Sequence, residues 1–271
     1  MTAGPLTEVH DDGAHGGKAT QLGAALRAGL PVPPGFALAH HHVDELAHED
    51  VPHAPDHIAE AFAMLGGPVA VRSSAIGEDG AGASFAGQHA TVLGVTCART
   101  LLAAIRKVRQ SAHAPSAIAY RKRLGLPGTP RMGVVVQRLI DAEKAGVLFT
   151  RNPISGDDER LIEAAWGLGE IVVAGLVTPD RFRIARDGRV LERTAGEKDI
   201  AIRLRADGGT HEAPVDDELV AALCLDDAEL LDLHELASRC EGHAGGPQDI
   251  EFAFAAGRLY LLQRRAITRT A

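Results

Sequence analysis

Apolar positions along the chain recur at two periods, near 3.6 and near 2, and the switches between them mark out helices and strands. Over 18–28, Leu22, Ala25 and Leu26 repeat at helical spacing, with Gly16-Gly17 as a tight entry and Gly29 as the stop. Residues 31–38 read as extended, and 42–65 as helix broken at Pro52 and Pro55. Val69-Ala70-Val71 is a short buried strand running into Arg72-Ser73-Ser74, followed by a glycine-rich loop from Gly77 to Gly87 and a strand over 91–95. Helices are predicted over 99–110 and 115–124, then a connector over 124–130. The β-branched runs 133–140 and 146–150 predict two strands paired antiparallel across the polar turn 141–144. A hairpin around Arg186-Asp187-Gly188-Arg189, a long helix over 216–240 and a closing pair of strands around Ala256-Gly257 complete the pattern.

Strands arrive in hairpins and helices fall between groups of strands, so the predicted class is α+β with largely antiparallel sheets. The connector divides the chain into two lobes, 1–128 and 129–271. With 45% hydrophobic and 24% charged residues, the composition is that of an ordinary globular protein. A formal net charge of −8 argues against nucleic acid as a partner, so any phosphate site is a local cleft. Cys97, Cys224 and Cys240 lack metal-ligand spacing, and their odd number suits reduced thiols. The start shows no leader-like basic and apolar regions, and no apolar run reaches the ~18 residues of a membrane span. A cytoplasmic enzyme without a membrane partner is the expectation.

Two nucleotide motifs are excluded. A phosphate-binding loop of the GxxxxGK[ST] type would need glycine and a hydroxyl residue where Asp12 and Ala19 stand. The glycines at 77, 80 and 82 do not have GxGxxG spacing either. The stretch from Val69 to Thr91 is more informative. It joins a buried strand to Arg72, whose guanidinium can fork onto a phosphate, and then to small residues whose backbone N–H groups can approach phosphate oxygens.

Six segments, in series, resemble the nucleotide-binding domain of the phosphoenolpyruvate synthase, pyruvate phosphate dikinase and rifamycin phosphotransferase family. They are Gly17-Lys18-Ala-Thr-Gln-Leu22, Arg72-Ser-Ser, Ser84-Phe-Ala-Gly-Gln88, Gly146-Val-Leu-Phe-Thr-Arg-Asn-Pro153, Glu163-Ala-Ala-Trp-Gly-Leu-Gly-Glu170, and Gln248-Asp-Ile-Glu251 with Leu262-Gln263. The resemblance implies an ATP-grasp fold of two lobes clasping ATP and magnesium. It gives Lys18 and Arg72 to the ATP phosphates, Gly87 and Thr91 to the nucleotide loop, and Gln137 to the neighbourhood of the adenine. Glu251 and Gln263 would bind magnesium or the phosphates it bridges, and Arg265 would meet the terminal phosphates. Ala266 stands where many members have proline, which puts the exit path of the chain in question.

The closing hairpin gives a geometric expectation. Asp249 and Glu251 share one strand face, as do Gln263 and Arg265. A three-residue loop, Ala255-Ala256-Gly257, would set Phe254 opposite Arg258 and bring all four side chains to one face at the open end. Ile250, Phe252, Phe254, Tyr260 and Leu262 would then pack on the other; a two-residue turn would split the quartet.

None of the 13 histidines lies in the family's Thr-Ser-His-like carrier context. His89 reads as loop structure, and the six histidines between His40 and His57 as a solvated face. The resulting expectation is a phosphotransferase component that passes phosphoryl or pyrophosphoryl from Mg-ATP to a histidine carrier on a separate protein. The alternatives are a self-sufficient ATP-grasp kinase or ligase acting on a small molecule, and a nucleotide-sensing module without turnover.

Overall fold

The computed structural model describes residues 3–48, 53–77, 90–123 and 130–267. These residues form two compact units. The first comprises Met1–Arg27, Pro33–Leu139 and Arg205–Gly209; the second comprises Ala28–Val32, Ile140–Leu204 and Thr210–Ala271. All named strand pairs are antiparallel, and helices lie between the groups of strands, which makes the chain α+β as expected.

In chain order the first unit carries β1 (Ala3–Pro5), α1 (Asp12–His15), α2 (Gly17–Arg27), β2 (Gly35–Leu38), α3 (His40–His48), α4 (Asp56–Met64), β3 (Val69–Ala75), β4 (Thr91–Val95), α5 (Ala98–Ser111), α6 (Pro115–Arg123) and β5 (Met132–Arg138). Its five-stranded sheet runs β1-β2-β5-β3-β4. On one face, Phe36, Leu38, Val69, Val71, Val134 and Val136 form the main core with Val43 and Leu46 of α3, Ile58 of α4, and Leu101, Ile105 and Val108 of α5. Helix α5 buries positions 101, 102, 105 and 108, the stripe of an amphipathic helix. The other sheet face carries Ala70, Arg72 and Ser74 of β3, with Val135 and Gln137 opposite on β5.

The second unit follows with β6 (Lys144–Phe149), β7 (Glu159–Trp166), α7 (Glu170–Val173), β8 (Asp180–Ala185), β9 (Val190–Thr194), β10 (Ile200–Leu204), β11 (Thr210–Pro214), α8 (Asp217–Val220), α9 (Asp227–Ala244), β12 (Gln248–Ala255) and β13 (Arg258–Ala266). Six strands form one sheet, β13-β12-β6-β7-β8-β9, and β10 and β11 form a separate ribbon. The α9 helix is anchored by Lys144, whose Nζ lies 2.7 Å from both carboxylate oxygens of Glu229, and by buried Arg160, which donates to the His234 carbonyl and, at 2.6 Å, to Ser238 Oγ. Asp180 and Lys198, both fully buried, pair at 2.5 Å; Asp180 also accepts the N–H groups of Gly196 and Cys224. A buried carboxylate is tolerated here because its oxygens are met by a cation and two backbone donors.

Four local expectations change. The runs at 133–140 and 146–150 do not form a hairpin: β5 sits between β2 and β3, while β6 sits between β12 and β7. Both are interior strands, and each finds its two neighbours elsewhere. The buried strand at 69–71 extends to Ala75, taking Arg72, Ser73 and Ser74 into the ladder with β5. The helix expected over 216–240 breaks before α9, where Asp226 and Glu229 form a capping box. The closing hairpin turns on two residues, Ala256 and Gly257, both at positive φ, so Ala255 rather than Phe254 stands opposite Arg258. The connector at 124–129 and most of the glycine-rich loop, 78–89, lie outside the described residues.

Candidate nucleotide site

In the first unit, Arg72 lies on the sheet face opposite the main core, and Lys18 lies on α2. Arg72, largely buried, is paired across strands with Thr91 of β4 and Val135 of β5. Gln137, in the same face as Arg72, is buried, and its Nε2 donates to the Pro33 carbonyl at 3.3 Å. Lys18 is half-buried in the first turn of α2. This helix start is held against β3 by the Ala19 N–H, which donates to Ser74 Oγ at 3.0 Å. Gly87 lies outside the described residues.

In the second unit, the closing hairpin brings the expected quartet to one face by an unexpected route. A two-residue turn alone would place Glu251 opposite Leu262. An extra residue on β13 shifts the register between Glu251 and Phe252, so that Glu251 faces Gln263 and Asp249 faces Arg265. On the opposite face, Phe252 meets Leu261 and Phe254 meets Leu259, replacing the Tyr260 and Leu262 packing expected. Leu261 is fully buried, whereas Tyr260 and Leu262 are only partly covered.

The quartet continues across the sheet. One row reads Gln263, Glu251, Val147, Glu163 and Arg181; the next reads Arg265, Asp249, Phe149, Leu161 and Arg183. Arg265 grips Asp249 through Nε at 2.7 Å and Nη2 at 2.5 Å, both onto Oδ2. Burial pushes the Asp249 carboxyl above its usual range; Arg265 opposes this, and nearby Glu251 adds to it. Farther along the first row, Arg181 and Glu163 pair at 3.2 Å. Two carboxylates and an amide oxygen on adjacent strands form the hard-oxygen set that magnesium prefers when substrate phosphates complete its shell. Among the described residues no group of three or more histidine, cysteine or acidic side chains has metal-binding geometry.

The family model for the pyruvate phosphate dikinase AMP/ATP-binding domain matches residues 47–271. The chain belongs to this family. It is 37% identical to a probable phosphoenolpyruvate synthase of Methanothermobacter thermautotrophicus, over 95% of this chain and 44% of that protein. It is 40% identical to a rifampicin phosphotransferase of Streptomyces sviceus, over 73% of this chain and 23% of that protein. The chain therefore spans less than half the length of these relatives. Among solved structures it aligns with a D-alanine–D-alanine ligase of Bacillus anthracis at 11% identity and a TM-score of 0.42, covering 94% of this chain and 57% of that one.

Two participants escaped the assignment of roles in the sequence. Asp249 is the carboxylate that orients Arg265, and its position two residues before Glu251 was the available signal. Ser74 contacts the helix that bears Lys18, and it stands two residues after Arg72 on the same strand face. The long-range partner, 55 residues away, had no local signature. No helix among the described residues is long and apolar enough to cross a membrane.

Proposed function

We propose that this chain holds Mg-ATP by its phosphates and passes a phosphoryl or pyrophosphoryl group to a histidine outside these 271 residues, as a phosphotransferase module with an ATP-grasp fold. The observation that carries the reading is the pairing of Glu251 with Gln263 beside Asp249 with Arg265, in a family described by AMP/ATP binding. Phosphoryl transfer asks a protein chiefly to position the reactants and neutralise charge, and this inventory can do both. Lys18 and Arg72 would bind phosphate oxygens, Arg265 the terminal phosphates, and Thr91 with Gly87 the surrounding loop. Gln137 would sit near the adenine. Magnesium, held by Glu251 and Gln263, would draw negative charge from the bridged phosphates.

The name of one relative, rifampicin phosphotransferase, supports phosphoryl transfer, and the AMP/ATP-binding family supports a nucleotide as the donor. The absence of a carrier-like context around any of the 13 histidines supports an acceptor elsewhere. Three free cysteines fit a cytoplasmic setting.

Incubation with ATP labelled in its β and γ phosphates, alone and with candidate acceptors, tests the reading. With a partner histidine as acceptor, pyrophosphoryl transfer leaves AMP and phosphoryl transfer leaves ADP, and in either case the label is expected on the partner's histidine. ADP or a ligated product from a small molecule alone would replace it with direct transfer, and binding without turnover would replace it with sensing. Mass spectrometry covering all 13 histidines should find none stably phosphorylated; a stoichiometric phosphohistidine on this chain would overturn the external acceptor.

A further inference from the structure

The first four N–H groups of an α-helix have no partner inside the helix and are usually capped by the residue just before it. Helix α2 begins at Gly17, and the preceding Gly16 has no side chain with which to cap. The acceptor comes instead from another strand: Ser74, fully buried on β3, receives the Ala19 N–H at 3.0 Å. Gly16 makes room for this contact. It sits at φ 82°, and a Cβ there would lie 2.1 Å from the Ser74 carbonyl oxygen and 2.7 Å from Ser74 Oγ. The Thr20 hydroxyl in turn donates to the Gly16 carbonyl at 3.1 Å, closing the first turn from the other side.

Lys18 lies between Gly16 and Ala19 in this turn, and Arg72 lies two residues before Ser74 on the same face of the same strand. We propose that Ser74 is a positioning residue for the phosphate site: by capping α2 from β3, it fixes the backbone that carries Lys18 in register with Arg72. Its hydroxyl acts on the helix start and does not itself touch nucleotide. The inference rests on the assignment of Lys18 and Arg72 to phosphates.

The test is a double-mutant cycle read by titration calorimetry with ATP and with AMP, in magnesium, accompanied by thermal melts. Lys18→Ala should weaken ATP more than AMP. Ser74→Ala should also weaken ATP selectively, by about fivefold, the equivalent of a lost cap of ~1 kcal/mol. Ser74→Thr, which keeps the hydroxyl, should retain the wild-type ratio of ATP to AMP affinity whatever its melting temperature. In the Lys18→Ala background, Ser74→Ala should weaken ATP no further, because residues acting through one another are not additive.

Equal weakening of ATP and AMP by Ser74→Ala, an unchanged ATP affinity, or full additivity with Lys18→Ala would overturn the positioning role. An unchanged ATP-to-AMP ratio in Lys18→Ala would instead remove the phosphate assignment on which the role depends. The two failures are therefore distinguishable.

Discussion

Glu251 and Ile250 are neighbours with opposite duties, because successive side chains of β12 point to opposite faces. Glu251 faces Gln263, while Ile250 is fully buried opposite Arg264. Glu251→Ala should weaken magnesium-dependent ATP binding by about tenfold or more, the scale of one hydrogen bond to a charged group, with little change in melting. Ile250→Ala should cost about 2–5 kcal/mol of stability in a denaturant titration and leave nucleotide affinity nearly intact in the folded protein. Equal losses of binding in the two would contradict the register. A second residue-scale effect concerns pH. Burial lowers the pKa values of His40, His42 and His113; Arg131 adds to the shift at His40, His41 at His42 and Arg109 at His113. The folded state then binds fewer protons than the unfolded chain, whose histidines titrate near ~6.5. Stability should be fully present above that value and fall as pH drops from it towards the folded pKa values. Denaturation midpoints between neutral pH and the start of carboxylate titration should show this slope, and His42→Gln should flatten it. A slope of the opposite sign would contradict the shifts.

At the scale of elements, the closing hairpin shows what local pattern can and cannot decide. Ala256 sits at φ 48° and Gly257 at φ 67°, the mirror-image turn that favours Asn-Gly. Ala256→Asn should therefore stabilise the protein by about 0.5–1 kcal/mol in a denaturant titration, whereas Ala256→Val should destabilise it. Alternation showed that Asp249 and Glu251 share a face and that Gln263 and Arg265 do, but the three-residue loop expected to bring the two pairs together was not the turn formed. A two-residue turn and an extra residue on β13 reach the same alignment. Nothing in Leu261-Leu262-Gln263 announces the extra residue, since all three fit a strand. Partner choice was equally hidden for β5 and β6: alternation and β-branching identify a strand but not its neighbours. The break before α9 was different, because Asp226 and Glu229 carry the capping-box spacing in the sequence itself. Helix α5 and the hairpin of β8 and β9 were readable for a related reason, namely that periodicity and turn chemistry there are local.

For the molecule as a whole, each unit presents charged or polar side chains on one sheet face: Arg72, Thr91 and Gln137 in the first, Asp249, Glu251, Gln263 and Arg265 in the second. The proposed function gives Arg72 to the ATP phosphates, Gln137 to the adenine, and Glu251 with Gln263 to magnesium. The most direct measurement is the affinity of the wild-type chain for ATP and for AMP, each with magnesium and with magnesium removed by chelation. The account predicts saturable binding of one ATP per chain, tighter than AMP, with the preference for ATP sharply reduced by chelation. Equal affinities for ATP and AMP, unchanged by removal of magnesium, would contradict it.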